Sequence, residues 1–195
     1  MLRLPLFPSL IILSGLPGCG KTTLARLLVQ DLQLPILTID DVVDAIPAHM
    51  TGHSERFWED MVHILLHLVD AQLSWGRSVI VDSVFMGVDE NQTQHTWSDR
   101  RRAYEIAQHR QVNFRPIYCH ISDEAVWRER LAQRARQFPD APIATWTQVD
   151  AQRRYFQPWQ PGQALFLDGL NSVEDNFTAV MTFIADPTGR LTGWE

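Results

Sequence analysis

The chain has 195 residues, enough for one domain of ordinary size with its own core. Its 45% apolar and 21% charged content is that of a globular protein, and its net charge of −6 argues against long nucleic acid as the main partner. Two cysteines far apart in sequence, Cys19 and Cys119, argue against a structural disulfide and fit a reducing cytoplasm.

The first stretch, Met1 to Leu13, is apolar enough to raise the question of a signal peptide. Pro5, Pro8 and the single basic residue Arg3 count against one, as does the direct run into a glycine-rich loop. No apolar run reaches the roughly 18 residues that span a membrane, so no membrane partner is expected. Ser9-Leu10-Ile11-Ile12-Leu13-Ser14 is expected as a buried first strand, because a parallel sheet covered on both faces needs a continuous apolar run.

Gly15-Leu16-Pro17-Gly18-Cys19-Gly20-Lys21-Thr22 follows and fits G-x-x-x-x-G-K-[ST], the phosphate-binding P-loop. Lys21 is the single lysine in a chain with sixteen arginines. A compact ammonium can bridge β- and γ-phosphate oxygens inside a tight loop that a planar guanidinium would crowd. Gly15, Leu16, Pro17, Gly18, Cys19, Gly20, Lys21, Thr22 and Thr23 are the candidate nucleotide-binding residues. Cys19 contributes backbone only, with a thiol expected to be somewhat acidic at a helix N-terminus. Thr22 is expected to place its hydroxyl on Mg²⁺.

A helix is predicted from about Gly20 to Leu32, with Leu24, Leu27, Leu28 and Leu32 at helical spacing. Ile36-Leu37-Thr38-Ile39 is a short second strand expected to end at Asp40-Asp41. Ser54 caps a long helix that reaches Trp75 and stops at Gly76. Ser78 to Val81 is the third strand, ending at Asp82. A polar helix is expected from about His95 to Arg110, with Arg100, Arg101 and Arg102 at the surface. Phe114 to His120 is the fourth strand, and Asp123 to Arg136 is an arginine-rich helix. Residues 137–146 read as loop, and a helix covers about Thr147 to Phe156. Ala164 to Leu167 is the fifth strand, ending at Asp168-Gly169; a last helix spans Ser172 to Ile184, and the tail from Asp186 to Glu195 is expected to be loose.

Strands alternating with helices imply a three-layer α/β/α fold of the P-loop NTPase kind, with a five-stranded parallel sheet and right-handed crossovers. The whole chain, residues 1–195, reads as one such domain. Ligands in such sheets bind beyond the carboxyl ends of the strands. Asp40, Asp82 and Asp168 all stand there, and the first two are the candidates for chemistry. Asp82 after Val79-Ile80-Val81 is a Walker-B-like arrangement that would put a carboxylate near the metal; its plain alternative is a helix cap. Asp40 is the candidate base for an acceptor hydroxyl. Asp41 is expected to cap a following short helix, and Asp44 is a weaker candidate.

Arg128, Arg130, Arg134 and Arg136 crowd one short helix, with Arg130 and Arg134 on one face. Two readings stand side by side: arginines closing over the transferring phosphoryl group, or a solvated face paired with Asp123, Glu124 and Glu129. His63 and His67 are four apart on one helix, but only Ile64, Leu65 and Leu66 lie between them, so packing or surface is the expected role. Most of the seven tryptophans read as core. Trp146 and Trp159 are candidates for an acceptor pocket, and Arg153 and Arg154 for gripping nucleotide or acceptor.

The P-loop, Asp40, Val79-Ile80-Val81-Asp82 and the arginine-rich segment, in this order, resemble small P-loop kinases. The set is similar to the AAA-type predicted-kinase family that includes polynucleotide 5′-kinases and zeta-toxin relatives. Ile39-Asp40-Asp41-Val42-Val43-Asp44-Ala45-Ile46-Pro47 and Gly76-Arg77-Ser78-Val79-Ile80-Val81-Asp82-Ser83-Val84-Phe85-Met86-Gly87 resemble the chloramphenicol 3-O-phosphotransferase family more closely. The resemblance covers roughly residues 9–170. It implies a nucleoside-kinase-like domain with an arginine-rich lid over about residues 128–146, ATP and Mg²⁺ as cofactors, Asp40 as general base on the acceptor hydroxyl, and Arg128, Arg130 or Arg134 in that lid. Polynucleotide kinases carry an arginine three residues after the base, where this chain has Val43. A small-molecule hydroxyl acceptor is therefore expected ahead of a nucleic-acid end. The sole lysine sits in the P-loop, so no N-K-x-D guanine signature exists, and no L-S-G-G-Q transporter signature is present. A regulatory ATPase without an acceptor is the remaining alternative.

Overall fold

The computed structural model describes residues 8–47, 55–87, 99–141, 143–186, 191, 192 and 194. The predicted cap Ser54 and the predicted helix start at His95 lie outside these residues. The elements in chain order are β1 (Ser9–Ser14), α1 (Lys21–Leu32), β2 (Ile36–Thr38), α2 (Ile39–Asp44), α3 (Glu55–Ser74) and β3 (Val79–Asp82). They continue with α4 (Asp99–His109), β4 (Asn113–His120), α5 (Glu124–Gln137), α6 (Trp146–Arg153), β5 (Leu165–Asp168) and α7 (Val173–Ala185).

The five strands form one parallel sheet in the order β2-β3-β1-β4-β5. All six residues of β1 and all four of β3 are buried, which is why both read as unbroken apolar runs rather than alternating ones. α1 packs against α7, and α3 against α4, giving the two helical layers of an α/β/α sandwich. β1 is central, with β3 on one side and β4 on the other, so the loop leaving β1 emerges in the middle of the carboxyl edge.

Two boundaries differ from those predicted, each through a side chain that satisfies helix-end amides, and the tail differs through a packed ring. β2 stops at Thr38, whose Oγ1 accepts from the Asp41 N–H at 2.9 Å; Ile39 and Asp40 therefore open α2 rather than end a strand. Thr145 and Gln148 form a reciprocal capping box, so α6 begins at Trp146 and the expected loop over residues 137–146 ends one residue early. The tail expected to be loose includes Trp194, which is 9% exposed, stacks on Tyr104 at 4.9 Å and donates its Nε1–H to the Gln163 carbonyl.

Arg100, expected at the surface, is 6% exposed. Its Nε donates to the Phe85 carbonyl at 2.8 Å and its Nη2 to the carbonyls of Met86 (3.2 Å) and Gln157 (2.5 Å). The guanidinium stands 4.5 Å from the Trp159 ring centre and 5.2 Å from that of Phe156. Burial lowers its pKa to about 10, against the favourable field of Asp99. Arg100 thus ties the segment after β3 to the segment after α6. Arg101 and Arg102 are not buried, as expected for their neighbours on the helix.

A second tie joins α3 to α4's end. Arg110 donates Nε–H and Nη2–H to the two oxygens of Asp70 at 2.6 and 2.7 Å. Those hydrogen bonds, ahead of a modest opposing effect of burial, hold the Asp70 carboxyl below its usual range. The folded pKa lies below the unfolded one, so the stability this pair adds is present above the unfolded carboxylate pKa. It is lost as pH falls through the folded pKa. Asp70→Asn is expected to flatten the acid limb of stability against pH; an acid limb identical to that of the unsubstituted protein in urea titrations between pH 3 and 7 would count against the pair.

Candidate active site

The P-loop is built by three left-handed glycines and one helix start. Gly15 has φ +134°, and its N–H donates to the Val84 carbonyl at 3.2 Å. A Cβ there would sit 2.1 Å from the Cys119 carbonyl oxygen, so β4's backbone leaves no room for any side chain. Gly15→Ala is expected to cost about 2–3 kcal/mol through overpacking and backbone strain. At Gly20, φ is +98° but nothing lies within 4 Å, so Gly20→Ala is expected to cost only about 1–2 kcal/mol. Urea midpoints of the two variants test this order, and equal midpoints would refute it.

Gly20 is also the N-cap of α1, with no side-chain cap and no acidic residue in the first turn. The helix therefore presents free N–H groups and the positive end of its dipole to the loop, the arrangement that binds phosphate. Lys21 Nζ donates to the Leu16 carbonyl at 3.1 Å and lies 4.0 Å from Cys19 Sγ. Burial opposes the charge on Lys21, but the thiols and carboxylates around it (Cys19, Asp82, Cys119 and Asp40) outweigh that and raise its pKa. The ammonium is thus fully protonated at neutral pH and held over the loop.

Cys19 is 3% exposed, and its Sγ–H donates to the Leu16 carbonyl at 2.8 Å. Burial pushes its thiol pKa up, against the field of Lys21. The expectation of an acidic thiol fails, because the side chain turns inward and loses solvent before the helix dipole can help.

Thr22 Oγ1 donates to Asp82 Oδ2 at 3.1 Å. Asp82 is the last residue of β3, 8% exposed, in register with Leu13 of β1. Its pKa is raised by burial, with Lys21 and Thr22 acting against that and Asp40 adding to it. A carboxylate and a hydroxyl at this distance are hard oxygen donors of the kind Mg²⁺ takes alongside water and phosphate oxygens. Asp40 is exposed in the first turn of α2, not at a strand end, yet its charge is felt by both Lys21 and Asp82. Asp40 therefore stands in a helix and not at the strand end expected for it.

The three candidate arginines of α5 are separated by the structure. Arg128 donates to Glu124 at 2.5 Å and lies 4.5 Å from the Trp146 ring centre, so it braces α5 against α6. Arg130 reaches Gly169 beside the Cys19 carbonyl: a Cβ on Gly169 would meet both at 3.2 Å. Arg134 is near enough to Asp82 to lower its pKa. Arg136, by contrast, pairs with Glu129 at 2.8 Å on the exposed side of the helix. Arg153 pairs with Glu124 at 2.8 Å, and Arg154 with Asp150 at 3.4 Å.

The expected acceptor-pocket role of Trp159 does not hold. It is 2% exposed and donates its Nε1–H to Ser14 Oγ at 2.7 Å, inside the core. Trp146 packs edge-on to Trp127 at 5.6 Å. Asp168 accepts from the Leu170 N–H at 2.9 Å and shapes the turn after β5. Trp127 was not singled out in the sequence, although it is the anchor of α5. Its Nε1–H donates to the Pro17 carbonyl at 2.9 Å, and it packs with Leu131 over Gly18. The only sequence signal for it was an apolar i, i+4 pair, Trp127 and Leu131, on an otherwise polar helix.

Comparison with known proteins supports this reading of the fold. A 37-residue segment is 51% identical to shikimate kinase of Rhodopirellula baltica, covering 19% of this chain and 20% of that enzyme. The APS kinase CysC of Mycobacterium tuberculosis, solved with AMPPNP and APS, superposes with a TM-score of 0.65 at 19% identity, over 93% of this chain and 99% of that one. A gluconokinase of Sinorhizobium meliloti superposes at 0.62 with 16% identity, over 92% and 93%. The architecture is therefore that of the P-loop kinases. With residues 10–159 matching the family's model, the chain belongs to the AAA domain family.

Proposed function

We propose that the chain transfers the γ-phosphoryl group of ATP to a hydroxyl of a small-molecule acceptor. The observation that supports this reading is the Thr22–Asp82 hydrogen bond beside Lys21 on the P-loop, with Asp40 in the first turn of α2 at the same carboxyl edge of the sheet. A nucleotide switch needs the first three; a carboxylate free of the metal pair and beside them suits an acceptor. The P-loop amides and Lys21 would hold the β- and γ-phosphates. Thr22 and Asp82 would hold Mg²⁺, which supplies charge neutralisation between those phosphates. Asp40 takes the acceptor's proton as its oxygen bonds to the γ-phosphorus, and the bond to the β-phosphate oxygen breaks to leave ADP. Arg130 and Arg134, on the face of α5 toward the loop, would neutralise the phosphoryl charge.

The net charge of −6 and Val43 in place of an arginine support a small acceptor over a polynucleotide end. The sequence resemblance to chloramphenicol phosphotransferases makes hydroxylated aromatic amides one class to include in a screen. The test is a labelled-ATP screen against alcohols, sugars, aryl alcohols and 5′-hydroxyl oligonucleotides. Transfer to an oligonucleotide alone would overturn the small-acceptor reading, and ATP hydrolysis with no transfer to any acceptor would favour a regulatory ATPase. Asp40→Asn is expected to lower transfer by about 10²-fold with Mg-ATP affinity unchanged. Wild-type transfer by that variant would remove Asp40 as base.

A further inference from the structure

A cavity of about 450 Å³ lies on the β4 side of the P-loop, away from the Thr22–Asp82 pair, which stands on the β3 side. Five aromatic rings from four segments line it. Tyr118 and His120 are two apart on β4 and share a face; Phe166 is the register partner of Tyr118 on β5. Phe156 comes from the segment after α6, and Trp127 from α5. Tyr118, His120 and Phe156 are partly aligned, whereas Phe166 stands at 90° to Tyr118 and 67° to His120. His120 lies 5.6 Å from Tyr118 at 29°, and Phe156 5.7 Å from Tyr118 at 24°. The remaining wall includes Leu16 and Cys19, the two residues that Lys21 Nζ touches. The ring-lined space and the phosphate loop therefore share a wall.

The charge on this wall has one sign. Arg153 lines the cavity and, among the described residues, no carboxylate does. The Arg153 guanidinium is already paired with Glu124, so it does not call for a strongly anionic partner. A cationic amine is disfavoured by Arg153. A saturated ring fits the volume but gains nothing from aligned π-faces, whereas a flat aromatic ring gains both burial and stacking.

We propose that this cavity binds the ring of a planar aromatic small molecule, neutral or weakly anionic, against the β4 side of the P-loop. Two sources have this chemistry: a phosphoryl acceptor that carries an aryl group, or an effector that changes how the loop holds nucleotide. The first rests on the phosphotransferase reading above; ring binding itself does not.

The test uses the full chain without nucleotide. Indole and 2-naphthol, titrated by calorimetry, are expected to bind saturably at one site, at least tenfold more tightly than cyclohexanol. Phe166 is 39% exposed on an edge strand, so its replacement leaves the core intact. Phe166→Glu is expected to weaken both aryl probes at least tenfold, and Phe166→Leu about threefold, with unchanged thermal melts. Absence of saturable binding, equal binding of cyclohexanol, wild-type binding by Phe166→Glu, or one-for-one displacement by ATP would each overturn the proposal. With Mg-ATP added, conversion of 2-naphthol to its phosphate ester and ADP, with loss of the hydroxyl proton, identifies an acceptor. Unreacted 2-naphthol with a shifted ATP affinity identifies an effector. Ring binding without any transfer separates failure of the phosphotransferase reading from failure of this one.

Discussion

Lys21→Ala is expected to lower ATP-dependent phosphoryl transfer by about 10³-fold or more, the scale on which a cation at a transferring phosphoryl group is worth. The physical reason lies in the position of its ammonium. It is held at 3.1 Å from the Leu16 carbonyl, with Asp82 and Asp40 near enough to raise its pKa. No other lysine exists in the chain, and the candidate arginines belong to a separate element, α5. The substitution removes one hydrogen bond to a loop carbonyl, so folding is expected to change by no more than about 1 kcal/mol. Single-turnover transfer with labelled ATP, paired with a urea unfolding curve, measures both. Retained turnover would sink the phosphate-binding role of Lys21, and a large drop in urea midpoint would show that the residue acts through stability instead.

Arg100→Ala is expected to be the most destabilising of the substitutions considered, at about 3–5 kcal/mol, because it strips the donor from three carbonyls and removes the positive charge nearest a buried carboxylate. The guanidinium serves the carbonyls of Phe85, Met86 and Gln157 and shares its surroundings with Asp99, which is 8% exposed. Asp99 also accepts from the Gly87 and Arg100 N–H groups, at 3.2 and 2.8 Å. Burial already raises the Asp99 pKa, with Arg100 as the largest opposing influence. Without Arg100 the carboxyl is left to protonate, and Phe85, at φ +51°, loses the donor on its carbonyl. Arg101→Ala, one residue on, changes a side chain 56% exposed and is expected to stay within about 0.5 kcal/mol. A lowered urea midpoint at unchanged slope for the first variant, and none for the second, is the expected pattern. A loss below about 1 kcal/mol at Arg100 would show that its hydrogen bonds are replaced by water.

The pairing of Arg100 with its surroundings has a consequence for the site. Val84, one residue before Phe85, accepts from the Gly15 N–H and from Ser14 Oγ, the latter at 2.7 Å. Trp159 in turn donates to Ser14 Oγ. The start of the P-loop, the segment after Asp82 and the segment after α6 are therefore held by one hydrogen-bonded network. Arg100→Ala is expected to disturb nucleotide binding as well as stability, through Val84 rather than through any contact with phosphate.

The parallel sheet was legible in the sequence because buried strands need unbroken apolar runs, and Leu10–Leu13 and Val79–Val81 are such runs. The P-loop was legible because its geometry demands glycine at fixed places. Gly15 and Gly18 show why, with a carbonyl at 2.1 Å and a leucine methyl at 2.7 Å from where a Cβ would lie. Element ends were less legible. Ile39 has the propensity of a strand residue, but the Thr38 hydroxyl caps a helix there. Periodicity reports a face and does not report a cap, so Asp40 was put on the wrong element.

Arg100 shows a harder limit. In sequence it is one of three consecutive arginines, and a run of like charge reads as solvated surface. Its burial depends on carbonyls 14, 15 and 57 residues away in the chain, which no local pattern encodes. The same holds for the five rings around the cavity. Each is an ordinary aromatic residue in its own segment, and only the β4–β5 register and the return of the chain after α6 bring them together.

What the sequence determined by itself was the chemistry of short range: a phosphate loop with its lysine, a hydroxyl next to it, and carboxylates where strands run out. Those depend on neighbours within a few residues and on the fixed direction of parallel strands. The tertiary structure alone decided which arginines face the loop, which one is a buried clamp, and where an aromatic ring can lie. Those outcomes are set by contacts between segments distant in sequence, whose geometry is fixed only once the sheet has closed its register and the helices have packed on it.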